Sequence, residues 1–340
     1  MTLDHAVALS LFDDQLTKPG LTARLLSDDP ELLELASSRL DEAREVRRSA
    51  ERAGIHALAW CDPSFPSLLV AISDCPPVLW YRGDLTSLNV PMIAIVGSRA
   101  ASSVAVDTAA RLAGDLAARG VTVVSGLARG VDSAAHRGAL TNGRTIAVLG
   151  SGVDYIYPPE HKPLAVQIAE AGLVVSEHPP GTPPLPHHFP LRNRLISGLS
   201  LAVVVIEASE KSGSLITAGC ALEQGREVMA VPGNVLSGRN RGGHALLKDG
   251  AKIVETADDI VEGLGWDPAS NRSIPGASSS STASSADPVL RAMVSGEPYD
   301  LDALAIRSGL DARRLLPRLI ELELAGLVRR YGGGRFVRPS

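Results

Sequence analysis

Three basic residues stand beside glycines or small hydroxyl residues, and two more beside an asparagine and near an aromatic ring, in patterns suited to gripping an anion. Arg99 closes Gly97-Ser98-Arg99, Arg129 lies inside Gly126-Leu-Ala-Arg-Gly130, and Lys211 precedes Ser212, Gly213, Ser214 and Thr217. Arg192 and Arg194 flank Asn193 just after Phe189. Glycine lets backbone N–H groups approach an oxyanion, a following helix adds its dipole, and a guanidinium grips phosphate with two hydrogen bonds. An aromatic ring beside arginines also suits single-stranded nucleic acid, where stacking contributes roughly 1–3 kcal/mol per base. Blander readings stay open at each place. The glycines could serve only tight turns, Phe189 could be core with its arginines paired to Glu177 or Glu207, and Ser212 or Ser214 could simply cap a helix, a role compatible with binding phosphate.

The elements that must carry these residues alternate. Met92 to Val96 is a short apolar, β-branched run stopped by Gly97, the pattern of a buried strand. Ser102, Ser103 and Asp107 open an amphipathic helix that ends at Arg119-Gly120, and Val121 to Val124 is the next strand. The pattern repeats with a helix at Ser133 to Leu140, a strand at Thr145 to Leu149, a glycine turn at Gly150 to Gly152, a helix at His161 to Ala171 and a strand at Leu173 to Val175. Leu201 to Ile206, the most apolar strand, is expected near the sheet centre. Leu215 to Gln224 is a helix, with strands at Val228 to Val231 and Ala251 to Val254. Seven strands alternating with helices predict an α/β fold, an extended Rossmann-like parallel sheet whose ligands gather at the carboxyl ends of the strands.

Missing features narrow the ligand. Arg99 occupies the second glycine position of a dinucleotide fingerprint, and Ser125 stands where its acidic residue should end the second strand. No P-loop, H-E-x-x-H or G-x-S-x-G occurs. Cys61, Cys75 and Cys220 form no C-x-x-C, so neither a disulfide framework nor a metal site is indicated. Asp132 and His136 are spaced to share a helical face, which reads as a structural pair.

The chain has 340 residues, 45% hydrophobic but only 4% aromatic, with a net charge of −5. That charge is uneven: residues 1–89 hold 8 Lys+Arg against 14 Asp+Glu, residues 90–265 hold 15 against 16, and residues 266–340 hold 10 against 8. A nucleic-acid contact must therefore be a local cleft and not a whole face. No run of 18 apolar residues and no signal-peptide pattern is present, so a cytoplasmic protein without membrane attachment is expected.

Residues 1–75 read as a helical accessory domain, with Leu32, Leu33, Leu35, Ala36 and Leu40 at helical spacing. Residues 76–265 form the sheet domain, entered through a short strand after Cys75. Residues 266–287, rich in Ser, Pro and Ala, read as a flexible linker. Residues 288–340 read as three helices, Val289 to Val294, Leu301 to Ser308 and Asp311 to Ala325, followed by a glycine hairpin from Leu327 to Val337, the layout of a winged helix. Its recognition helix mixes Arg313, Arg314 and Arg318 with Asp311, Glu321 and Glu323, a poor duplex-DNA face, and Pro317 interrupts it.

Taken together, Gly97-Ser98-Arg99, SGLARGVD at Ser125 to Asp132, FPLRNRLISGLS at Phe189 to Ser200 and EASEKSGSLITA at Glu207 to Ala218 resemble the DprA/Smf family, the DNA-processing proteins of bacterial natural transformation. The resemblance spans residues 60–265. It implies a non-enzymatic cytoplasmic protein without cofactor, which binds single-stranded DNA, dimerises through its Rossmann-like domain and loads the RecA recombinase onto strands coated by single-strand-binding protein. It places Gly97, Ser98, Arg99, Gly126, Arg129, Gly130, Arg192, Asn193, Arg194, Lys211, Gly213, Ser214 and Thr217 in the DNA pocket. The chain departs from the family at its amino terminus, where Phe12 to Gly20 lacks the usual helix-hairpin-helix-like turn. Two rival functions remain. One is a phosphoribohydrolase related to lysine-decarboxylase-like proteins, whose P-G-G-x-G-T-x-x-E loop is here SEKSGSLITAGCALE, retaining only Glu223 of its acidic end. The other is a scaffold in which the winged helix is the working part.

Overall fold

A computed structural model of the chain describes residues 1–12, 20–265, 288–293, 298–308, 315, 318–319, 322, 327–331 and 335–338. These residues fall into two compact units, Met1–Ala277 and Ser278–Ser340.

In the first unit, α1 (Leu3–Ser10), α2 (Leu21–Leu26), α3 (Pro30–Ser37) and α4 (Leu40–Arg52) precede β1 (His56–Ala59), α5 (Ser67–Val70) and β2 (Val78–Gly83). The alternating region follows as β3 (Met92–Val96), α6 (Ser103–Ala118), β4 (Thr122–Ser125), α7 (Val131–Leu140), β5 (Thr145–Val148), α8 (Lys162–Ala171) and β6 (Leu173–Ser176). It continues through α9 (His188–Leu199), β7 (Ala202–Val205), α10 (Ser214–Glu223), β8 (Glu227–Ala230), α11 (Arg241–Lys248), β9 (Lys252–Ile253) and α12 (Ala257–Gly263).

The sheet has nine strands in the order β1-β2-β6-β5-β4-β3-β7-β8-β9. The seven expected strands run parallel, while β2 pairs antiparallel with β6 and β1 antiparallel with β2. Both faces of the parallel block are covered, which is why its strands are apolar without alternation. In β3, Met92, Ala94 and Val96 join the core on one face and Ile93 and Ile95 the core on the other. Residues 1–75, read from the sequence as a helical accessory domain, pack onto the sheet. Leu9, Leu25 and Leu32 share one apolar cluster with Trp80, Ala147 and Val174 of the sheet, and His56–Ala59 is itself an edge strand. Short helices cannot bury an apolar face alone, so they complete it against the sheet.

β3 lies in the middle of the parallel block, with β7 beside it. From β3 the chain moves to β4 on one side, whereas from β7 it moves to β8 on the other. The gap between the carboxyl ends of β3 and β7 is therefore the topological switch point, where an open α/β sheet leaves a crevice.

The second unit contains α13 (Pro288–Ala292), β10 (Pro298–Tyr299), α14 (Leu301–Ser308), β11 (Arg329–Tyr331) and β12 (Arg335–Val337), its strands ordered β10-β12-β11. Val289, Leu304, Leu315, Leu319, Val328 and Phe336 form its core. The helices and paired carboxy-terminal strands match the expected winged helix. The linker at 266–287, the turn after Phe12, and Asp311, Arg313, Arg314, Pro317, Glu321 and Glu323 lie outside the described residues.

Candidate nucleic-acid interface

A cleft of about 350 Å³ opens at the switch point, and four segments line it, the one after β4 contributing Ala128 and Asp132. Gly97, Ser98 and Arg99 come from the loop after β3, Phe189, Arg192 and Asn193 from α9, and Lys211, Gly213, Ser214 and Thr217 from the passage between β7 and α10. Ten of the fourteen residues singled out from the sequence are thus brought together.

The loop after β3 is tied down from β7. The Ser98 N–H donates to the Glu207 carbonyl at 2.7 Å, and the Glu207 carboxylate accepts from the Ser102 hydroxyl at 2.7 Å and its N–H at 3.1 Å. Glu207 is therefore engaged with the cap of α6 and not with an arginine. Gly97 leaves no room for a side chain, since a Cβ there would stand 2.7 Å from Val131 Cγ2. Arg99 reaches outward and its guanidinium lies 5.7 Å from the centre of the Phe189 ring, a cation–π contact. Phe189 is half-buried and lines the cleft.

Arg192 is the buried cation of the cleft floor, only 4% exposed. One Nη1 donates to the carbonyls of Gly126, at 2.8 Å, and Val148, fastening α9 to the ends of β4 and β5. Burial pushes its pKa down to about 10, opposed by the nearby Asp132 and aided by Arg99. Gly126 does not line the cleft but makes room for this side chain, because a Cβ there would stand 2.5 Å from Arg192 Nη1. Asp132, absent from the expected set, does line the cleft. Its Oδ2 accepts from the N–H groups of Gly126 at 3.1 Å and Ala128 at 3.4 Å. Burial raises its pKa against the pull of Arg192 and those amides. Its sequence signals were its place at the end of the SGLARGVD motif and in the first turn of α7. It does not pair with His136, whose Nδ1 instead sits 2.7 Å from Thr145 Oγ1.

On the third wall, Asn193 Nδ2 donates to the Gly213 carbonyl at 3.3 Å, joining α9 to the start of α10. The Ser212 and Ser214 hydroxyls are 2.8 Å apart, and no side chain caps α10 at Gly213. The Ser214 N–H donates to the Ser212 hydroxyl at 3.4 Å and those of Leu215 and Ile216 to the carbonyls of Ser212 and Gly213, so this wall offers the exposed Lys211 and the positive end of the α10 dipole to the cleft. Ser212, Ser209 and Ile216 also line it; the last two carried no signal beyond their neighbours.

Four expected members are displaced from the lining. Arg194 lies on the other side of α9 from the cleft, as residues two apart on a helix do not share a face. Its guanidinium pairs with the buried Glu177, and its Nε lies 3.1 Å from Asp74. Arg129 pairs with Glu160 at 2.6 Å on the surface, although Ala128 beside it and Asp132 at the start of α7 reach the lining. Gly130, at φ +74°, acts as a spacer: a Cβ would come 2.3 Å from the Ser98 carbonyl. Glu223, needed by the enzymatic rival, is exposed at the last residue of α10 and is not part of the lining.

Residues 56–265 match the family model for DNA recombination-mediator protein A, and residues 273–334 match that for the DprA winged helix domain. The chain is 43% identical over 286 residues to Protein Smf of Escherichia coli, covering 82% of this chain and 76% of that one. It is 45% identical over 201 residues to DNA processing protein DprA of Streptococcus pneumoniae, covering 59% and 71%. The crystal structure of the Streptococcus pneumoniae protein superposes with a TM-score of 0.68 at 36% identity, covering 77% of this chain and 98% of that one. A second solved relative, DNA processing protein A of Helicobacter pylori, is described for its single-stranded DNA binding mode; it gives a TM-score of 0.55 at 31% identity, covering 62% and 95%.

Proposed function

The chain belongs to the DNA recombination-mediator protein A family, also called DprA/Smf, and from that premise we propose that it binds single-stranded DNA in the switch-point cleft and passes the strand to the RecA recombinase. The observation that carries the reading is the convergence of Arg99, Arg192 and Lys211 with the Phe189 ring and the amino-terminal end of α10 in one cleft. Three cations and the positive end of a helix dipole suit a polyanionic backbone, and a partly exposed ring suits an unstacked base. Duplex DNA offers no free base face to such a ring.

In this reading the protein acts in the cytoplasm as a homodimer, displaces single-strand-binding protein during transformation or recombination, and has a binding role without catalysis. Val235 and Leu236, 74% and 91% exposed, support a protein contact on the segment after β8. Leu236 to Leu247 is the candidate dimer surface.

The test is a salt titration of binding to single-stranded and duplex oligonucleotides. Single strands should bind more tightly at low salt, with log K falling against log salt at about −0.7 per phosphate neutralised. Arg99→Ala should weaken binding and make that slope shallower by about 0.7. Equal affinity for the two DNA forms, or an unchanged slope in Arg99→Ala, would sink the reading. Release of free base from nucleoside monophosphates would move the protein to the phosphoribohydrolase class.

A further inference from the structure

Beyond the cleft, Phe189 does not stand alone. Its ring packs against Tyr157 with centroids 5.5 Å apart and planes tilted by 42°. Tyr157 remains 42% exposed, and Tyr155 in the same loop is 50% exposed. In a chain with only five tyrosines and four phenylalanines, two open rings at one rim require a reason, since aromatic rings gain most by being covered. Past Tyr157 comes Arg129, which the cleft does not use. Its Nε donates to Glu160 Oε1 at 2.6 Å, three residues after Tyr157. The surface thus runs from a cation over a ring, through a second ring, to a second cation bonded three residues further along that segment: Arg99, Phe189, Tyr157, Arg129.

We propose that Tyr157 and Arg129 form a second nucleotide subsite continuous with the cleft, in which the Tyr157 ring stacks on the adjoining base and Arg129 takes a phosphate. The inference rests on the single-strand reading above. The two rings are in direct contact, within the about 4.5–7 Å typical of aromatic pairs, so no base fits between them. Each ring must therefore serve a different base, Phe189 at the cleft and Tyr157 outside it. The packing against Phe189 holds the Tyr157 ring in place before any strand arrives, which lowers the entropy lost on binding. Arg129 and Glu160 are 56% and 49% exposed, and such surface pairs contribute little, so a phosphate can replace the carboxylate as partner.

The experiment measures oligo(dT) binding to the full chain across a salt series. Tyr157→Ala should weaken binding about ten-fold without changing the salt slope, because stacking neutralises no phosphate, and Tyr157→Phe should keep near-normal affinity. Arg129→Ala should make the slope shallower by about 0.7. Wild-type affinity in Tyr157→Ala, or equal weakening in Tyr157→Phe, overturns the subsite. If Arg99→Ala still weakens binding in that case, the cleft reading survives alone. If the unaltered protein shows no preference for single strands, the cleft reading itself fails. Photo-crosslinking the unaltered protein to an oligonucleotide carrying 5-iodouracil gives an independent measure: an adduct on Tyr157 supports the subsite, and adducts confined to Phe189 overturn it.

Discussion

His178 illustrates how burial, at the scale of one residue, sets a pH dependence that the DNA reading does not require. It is only 4% exposed, its ring stacks on His188 with centroids 4.0 Å apart, and neither ring nitrogen has a hydrogen-bond partner among the described residues. Burial, aided by His188, Arg194 and His187, pushes its pKa down to about 3, and burial does the same to His136. Both stay neutral in the fold while the unfolded chain takes up protons below about 6.5. Their contribution to stability is thus complete above pH 6.5 and is lost as pH falls toward 3. At pH 5 each imidazole costs about 2 kcal/mol of stability relative to neutral pH. His178→Phe keeps a ring against His188 and removes the titration, so its melting temperature should fall less steeply than that of the unaltered protein between pH 6.5 and 5. Parallel curves for the two proteins would rule out His178 as a source of acid sensitivity.

Helix packing decides where the binding loops sit. α6 and α7 approach so closely that a Cβ on Gly138 would stand 2.0 Å from the Ala110 carbonyl, a backbone atom that cannot swing aside. α7 begins directly after the Gly126–Gly130 loop, and its Asp132 holds the amides of that loop. Gly138→Ala must push the two helices apart, with an expected loss of about 1–3 kcal/mol and a lower melting temperature. The displaced loop should also loosen Arg192 and weaken single-strand binding; a variant with unchanged melting temperature and affinity would show that α6 and α7 are not so tightly set. α9 works similarly for the opposite wall. Its Arg192 and Asn193 face the cleft while Arg194, joined to Glu177 and Asp74, anchors the helix from behind.

For the whole molecule, the net charge of −5 is compatible with DNA binding because the cations act locally at the switch point. Among the described residues no helix is long and apolar enough to cross a membrane, and no group of His, Cys, Asp or Glu is arranged to hold a metal ion. The winged helix forms its own compact unit with its own core. Deleting residues 266–340 should therefore leave most of the single-strand affinity and its salt slope in place, measured by the anisotropy of a labelled oligonucleotide. A collapse of affinity on deletion would assign the binding to the winged helix.

Local chemistry by itself determined the alternation of strands and helices, the glycine-bearing loops at strand ends, the carboxy-terminal unit and the family motifs. Each is written in neighbouring residues: β-branched runs for strands, Gly120 after α6, Ser102 as its cap. Tertiary structure alone decided which cations share a cleft. Arg192 and Arg194 are nearly adjacent in the chain, yet helical rotation turns one to the cleft and the other to a buried carboxylate. Strand order put β7 beside β3, so the segments after those two strands meet at the cleft, while Arg129, after β4, pairs with Glu160 on the surface. Contacts over long sequence separations, such as Glu207 with Ser102 and Trp80 with the amino-terminal helices, have no local pattern to announce them.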